Sequence, residues 1–322
     1  MSSAAFTSTV TPSAPLVAQV ARQCAIAVPP ELTPLRERVY ERFGPSVCAV
    51  LFYGSCLRDV APEEGMVDLY ALVDDYATTY DRLLLKVTND WLPPNVFFLE
   101  ADAGEGRRLR AKCAVISLED FEAGCARAFQ SYLWGRFAQP CRLVDYRDEA
   151  TRERVHHALA GAVVKLWQEA LPCLPERFSA TEGWRRALEL SYGVELRPEG
   201  ASRPTKLVAG FEDDYRALAR GMAETLPAMT AVADDVFRHS FDATAQQHAQ
   251  RRWRRRQRQG HLLHIVRLMK SVLTFENGVD YLAWKLERHS GRRIEVTPRL
   301  RRYPLIFGWP LLWRLLRDRV LR

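Results

Sequence analysis

Apolar and polar positions alternate along this chain in two distinct patterns, and the change between them falls near residue 145. From Thr33 to Phe43 apolar residues recur at helical spacing and Gly44-Pro45 ends the run, so an amphipathic helix is predicted. Val47 to Tyr53 is a continuous apolar run rich in Val, Phe and Tyr, as in a buried strand, and Gly54-Ser55 breaks it. Residues 58–65 carry charge, Pro and Gly and read as a loop. Val67 to Val73 reads as a second strand, closed by Asp74-Asp75. Residues 95–99 and 113–116 read as third and fourth strands, with a turn at Gly104-Glu105-Gly106 between them, and residues 118–129 as a helix.

Past Asp145 the periodicity is mostly helical. Helical segments are predicted over residues 151–171, 185–190 and 212–223, with a break over residues 172–175. Residues 261–273 and 279–288 are amphipathic, and residues 251–258 are strongly basic. The expected class is therefore α+β: a mixed sheet with flanking helices, followed by a mainly helical second domain. The corresponding divisions are a flexible leader over residues 1–30, a sheet domain over 31–148, a helical domain over 149–298 and a C-terminal segment over 299–322.

Composition narrows the class of partner. The chain has 322 residues, 48% hydrophobic and 26% charged, typical of a globular protein. Its formal net charge of +7 points to an anionic partner: nucleic acid, anionic lipid or polyphosphate. Seven scattered cysteines include no Cys-x-x-Cys pair and suggest no zinc site; they read as reduced thiols, most of them small core residues. Residues 1–30 hold no acid and one basic residue, Arg22, which is too few for an Arg-rich transit peptide. No stretch reaches the roughly 20 apolar residues that a membrane-spanning helix needs.

The candidate chemistry lies at the end of the first strand. A strand ending in Gly54-Ser55 and a short loop leading to Asp68 suits a nucleoside triphosphate and its metal. Glycine permits close backbone approach to phosphate, a serine hydroxyl assists, and Mg²⁺ takes carboxylate, phosphate oxygen and water. Polymerase-beta-type nucleotidyltransferases follow Gly-Ser, a spacer, then Asp-x-Asp or Asp-x-Glu, whereas the second acid position here is Tyr70. Asp74 shares a face with Asp68 but lies about 20 Å along the strand and cannot replace that acid. Glu100, at the end of the third strand, is the candidate additional carboxylate. The alternatives are a tight turn at Gly54-Ser55 and a strand-start cap at Asp68.

Tyr53-Gly54-Ser55, Met66-Val67-Asp68-Leu69 and Val73-Asp74-Asp75 are followed by Lys112-Cys113-Ala114-Val115-Ile116-Ser117 and by Tyr132-Leu133-Trp134-Gly135-Arg136 with Pro140. In that order and spacing they resemble the translocator-maintenance type of phosphatidate cytidylyltransferase, the peripheral CDP-diacylglycerol synthase of mitochondria. The likeness covers most of residues 48–145 and is patchy beyond, with fainter echoes at Leu190-Ser191-Tyr192-Gly193, Arg197, Lys270, Tyr281 and Lys285. The missing second acid is itself a feature of that family. Cys56 stands where the family usually has Gly, and Cys113-Ala114 replaces Tyr-Gly.

The resemblance implies a nucleotidyltransferase-type sheet and the reaction of CTP with phosphatidic acid, giving CDP-diacylglycerol and pyrophosphate with Mg²⁺. Tyr53, Gly54 and Ser55 would hold the triphosphate, Asp68 would ligate metal, and Lys112 would neutralise phosphate charge. Arg136 would face a phosphate of either substrate. The lipid phosphate is already anionic, so no general base is assigned. A structural reading remains open for both cations: a solvated strand-edge lysine at Lys112 and a salt bridge at Arg136.

A diacyl substrate requires docking on a membrane surface, peripheral on the cytoplasmic face or, in a eukaryote, the matrix side. Residues 251–258 carry six arginines, Arg251 and Arg252 among them, around Trp253. Residues 303–316 are aromatic-rich, with Trp309 and Trp313, and are flanked by arginines. The arginine run could instead be a solvated helix face or bind nucleic acid, and the C-terminal segment could instead pack on the helical domain or bind a partner protein. Nucleic acid is not an expected partner, because basic residues do not alternate with stacking aromatics on strands. Two other readings remain: transfer to a phosphosugar, tRNA or protein, and a catalytically silent binding module.

Overall fold

The computed structural model describes residues 10–57, 62, 65–104, 107–195, 203–274 and 297–299. The first element is a helix, α1 (Ala14–Cys24), capped by the Ser13 side chain, followed by α2 (Thr33–Phe43) and β1 (Val47–Tyr53). Then come β2 (Val67–Val73), the short α3 (Tyr76–Thr79), α4 (Leu83–Trp91), β3 (Asn95–Asp102) and β4 (Arg108–Ser117). Helices α5 (Leu118–Ala126) and α6 (Trp134–Phe137) lead to β5 (Arg142–Tyr146) and the long α7 (Glu149–Ala170). The remainder is β6 (Arg177–Ser179), α8 (Ala180–Tyr192), α9 (Arg203–Gly210), α10 (Glu212–Thr225), β7 (Met229–Ala233), β8 (Val236–His239) and α11 (Ala243–Thr274).

Five strands form a mixed sheet in the order β3-β4-β2-β1-β5. β2 and β4 run parallel, and the other neighbours are antiparallel. The parallel pair requires a crossover, which α3, α4 and β3 supply. Alternating side chains divide the sheet between two cores. Leu69, Ala71, Cys113 and Val115 face one side with Leu35 and Val39 of α2 and Leu85 of α4. Tyr70, Leu72, Ala114 and Ile116 face the other, where one apolar cluster runs on without a break to Trp167 of α7, Trp184 of α8 and Tyr215 of α10. The expected division at residues 148 and 149 thus falls inside a continuous core.

The sequence pattern and the structure agree on α2, β1 and β2, and the class is a mixed α+β fold with flanking helices. Three corrections follow. Residues 14–24 of the expected leader form α1, whose Leu16, Val20 and Cys24 are buried against the helical half. The basic segment 251–258 and the amphipathic segment 261–273 belong to one helix, α11. The second half also holds a three-stranded sheet, β6-β8-β7, whose strands of three to five residues are too short to show a period. Residues 279–288 and 303–316, and with them Trp309 and Trp313, lie outside the described residues. Among the described residues no helix is long and apolar enough to cross a membrane.

Candidate functional site

The ladder places the candidate residues in one row. Tyr53 is the register partner of Asp68, Asp68 of Lys112, and Lys112 of Phe98, so the row crosses β1, β2, β4 and β3. Register partners point to one face, so the carboxylate and the ammonium arise about 5 Å apart on adjacent strands. Residues 68, 70 and 72 share that face, which carries the helices α5, α6 and α7.

Gly54 meets this row from the end of β1. Its φ is +91°, a conformation that L side chains rarely adopt, and a Cβ built there would sit 2.3 Å from Asp68 Oδ2. Any other residue would therefore be strained in its backbone and would displace the carboxylate. Ser55 and Cys56 follow in a short 3-10 turn, closed by Leu57 N–H donating to Gly54 O at 3.3 Å. Burial and the Asp68 carboxylate push the Cys56 thiol up to about 11, so it stays protonated at neutral pH and is no nucleophile. Its Sγ donates instead to Met66 O.

Tyr70, where the acid-x-acid pattern would place its second carboxylate, is fully buried. Its hydroxyl accepts a hydrogen bond from Arg136 Nη1 at 3.0 Å. Arg136 also lies 3.5 Å from Glu195, and its guanidinium stacks over the rings of Tyr132, at 4.4 Å, and Tyr53, at 5.7 Å. Arg136 is thus held on the sheet face two residues along from Asp68. This ion pair with Glu195 is the kind of contact that a structural role for Arg136 would make, and it leaves the phosphate role as an equal alternative. Arg267 of α11 stacks over the Tyr132 ring as well, at 3.9 Å. Burial alone would raise the Tyr132 phenol, but the two guanidiniums outweigh it and bring it below its ordinary value.

The structure does not bring Glu100 to Asp68. Glu100 lies on the edge strand β3, two strands from β2 and so about 10 Å away laterally, and pairs with Arg110 at 3.2 Å. Asp74, at the far end of β2, forms a two-pronged bond with Arg147, both contacts 2.7 Å. Among the described residues no group of three or more His, Cys, Asp or Glu is placed to hold a metal.

The arginine run is divided by the helix period. Arg252 and Arg256 turn inward to Glu169 at 2.9 and 2.8 Å, Lys165 joins them at 3.0 Å, and Trp253 Nε1 donates to Glu169 O. Arg251, Arg254, Arg255 and Arg258 stay exposed. Arg252, which the sequence offers as membrane-associating, is one-third exposed and pairs with Glu169. Glu169, Glu195 and Arg267 carry no local sequence signal that ties them to this region, because each acquires its role from an element distant in the chain.

In comparison with known proteins, no family model matches this chain and no curated protein is similar enough to count as a relative.

Proposed function

We propose that the chain is a nucleotidyltransferase that transfers the cytidylyl group of CTP to phosphatidic acid, releasing pyrophosphate and using Mg²⁺. The observation that carries this reading is the contact between a positive-φ Gly54 and the carboxylate of Asp68, with Lys112 as the register partner of Asp68. A turn glycine that lets a carboxylate approach closely, that carboxylate for a divalent ion and an ammonium beside it suit triphosphate binding. On this reading the sheet belongs to the nucleotidyltransferase type.

One carboxylate fits Mg²⁺ where substrate phosphates and water complete the octahedron. Asp68 would hold the ion, which when bound would neutralise triphosphate charge. Ser55 hydrogen-bonds phosphate oxygen, and Lys112 offsets the charge that builds on the departing pyrophosphate. The lipid phosphate attacks as an anion, so the chain supplies position and charge and no base.

A second reading has its own observation. Tyr70 takes the second acid's place and Glu100 lies too far away to replace it, as a silent nucleotide-binding module would allow. Incubation with phosphatidic acid, labelled CTP and Mg²⁺ separates the two, since lipid-extractable label arises under the first alone. CTP binding without label supports the module. Label from another nucleoside triphosphate or on a phosphosugar, tRNA or protein would move the acceptor.

A further inference from the structure

Helix α4 buries one face and exposes apolar residues on the other. Leu85 and Asn89 turn inward, and the Asn89 amide donates to Val115 O at 3.0 Å. Leu83, Val87 and Trp91, four residues apart, turn outward with Leu84 beside them. Their exposures are 73% for Leu83, 68% for Trp91, 52% for Val87 and 46% for Leu84. Single exposed apolar residues are ordinary, but a contiguous set along one helix marks an interaction surface.

The chain leaving α4 enters the wall of a cavity of about 380 Å³. Leu92 and Leu133 give it apolar walls, while Arg127, Arg267, Tyr132 and Asp120 supply its polar groups. The Asp120 carboxylate already accepts from the Tyr76 hydroxyl at 2.6 Å. Arg267 Nε is buried and has no hydrogen-bond acceptor among the described residues. Two guanidiniums against one engaged carboxylate complement an oxyanion. Lys270 of α11 donates to Pro94 O at 2.8 Å, which fastens α11 to the segment after α4. On α11 the exposed Arg251, Arg254, Arg255 and Arg258 continue at helical spacing into exposed Leu262 and Ile265.

We propose that α4 and this cavity form a docking site for an anionic lipid at a bilayer surface. The Leu, Val and Trp face lies in the interface, where aliphatic and indole side chains are favoured. Arg127 and Arg267 receive the headgroup oxyanion, and the exposed arginines of α11 add attraction for an anionic leaflet. This deepens the lipid-acceptor reading and rests on it only for the lipid's role as substrate.

The test is co-sedimentation of the full chain with vesicles of phosphatidylcholine, with and without phosphatidylglycerol. The wild type is expected to pellet with the anionic vesicles. L83Q/V87Q/W91Q, which changes exposed positions only, should bind about tenfold more weakly or worse, given the apolar area removed. R127Q and R267Q should each narrow the preference for anionic over neutral vesicles; Arg127 is exposed, so that variant stands if R267Q fails to fold. Unchanged pelleting of the triple variant overturns the proposal. So does a wild-type dimer that the triple variant splits without loss of vesicle binding, since the face is then a contact between copies. Transfer from CTP to a short-chain soluble acceptor, measured on the same proteins, keeps the two readings apart. A wild type that docks through α4 and transfers nothing removes the reaction and leaves the site.

Discussion

The Cβ that Gly54 lacks would stand 2.3 Å from Oδ2 of Asp68. The turn after β1 and the first acid of β2 are thereby fitted to one another. Gly44, at φ +66°, is strained in the same sense but has nothing within 4 Å of its would-be Cβ. Gly44, with ψ −156°, lies in a region essentially open only to glycine, so Gly44→Ala is expected to cost about 1–3 kcal/mol from backbone alone. Gly54→Ala should cost more and also abolish CTP binding, read by thermal unfolding and calorimetric titration; equal costs with intact binding would contradict the fit.

Tyr70 anchors Arg136 in the place of a second acid. Tyr70→Phe removes the acceptor of a charged donor in a buried setting, and a loss of about 1.5–3 kcal/mol is expected by denaturant unfolding. The fold should persist, because the ring keeps its edge contacts with Tyr53 and Phe137. A variant as stable as the wild type would show that the contact contributes little.

Glu169 sets an acid limit on stability. Burial alone would raise its carboxyl, but Arg256, Arg252 and Lys165 outweigh that and bring it from an ordinary 4.5 to about 2. Since the folded value is the lower, the stabilisation is present above pH 4.5 and is lost as pH falls towards 2. Stability between those values should fall more steeply in the wild type than in Glu169→Gln. At neutral pH Glu169→Ala should cost about 3–5 kcal/mol, since Arg256 is left buried without its counter-charge. Parallel pH profiles for wild type and Glu169→Gln would contradict this assignment.

Legibility followed the range of the forces involved. The periods of α2, β1 and β2 are local, and so is the Gly-Ser break, so each could be read from the sequence. The parallel pairing of β2 with β4 is not local, yet it is what brings Lys112 beside Asp68. Glu100 was misjudged because position at a strand end says nothing of strand order, and β4 stands between it and β2. The arginine run likewise hid two roles: a 3.6-residue period turns Arg256 into the core while Arg255 stays exposed. Helix α1 was missed because its partners, α10 and α7, lie far along the chain.

The central claim is that Asp68 serves nucleotide transfer. The direct measurement is lipid-extractable label from CTP and phosphatidic acid with Mg²⁺, compared between the wild type and Asp68→Asn at matched folding. The account expects label from the wild type and a loss of about a hundredfold or more in the variant, the scale of removing one charge-stabilising group. Full activity in Asp68→Asn would contradict it.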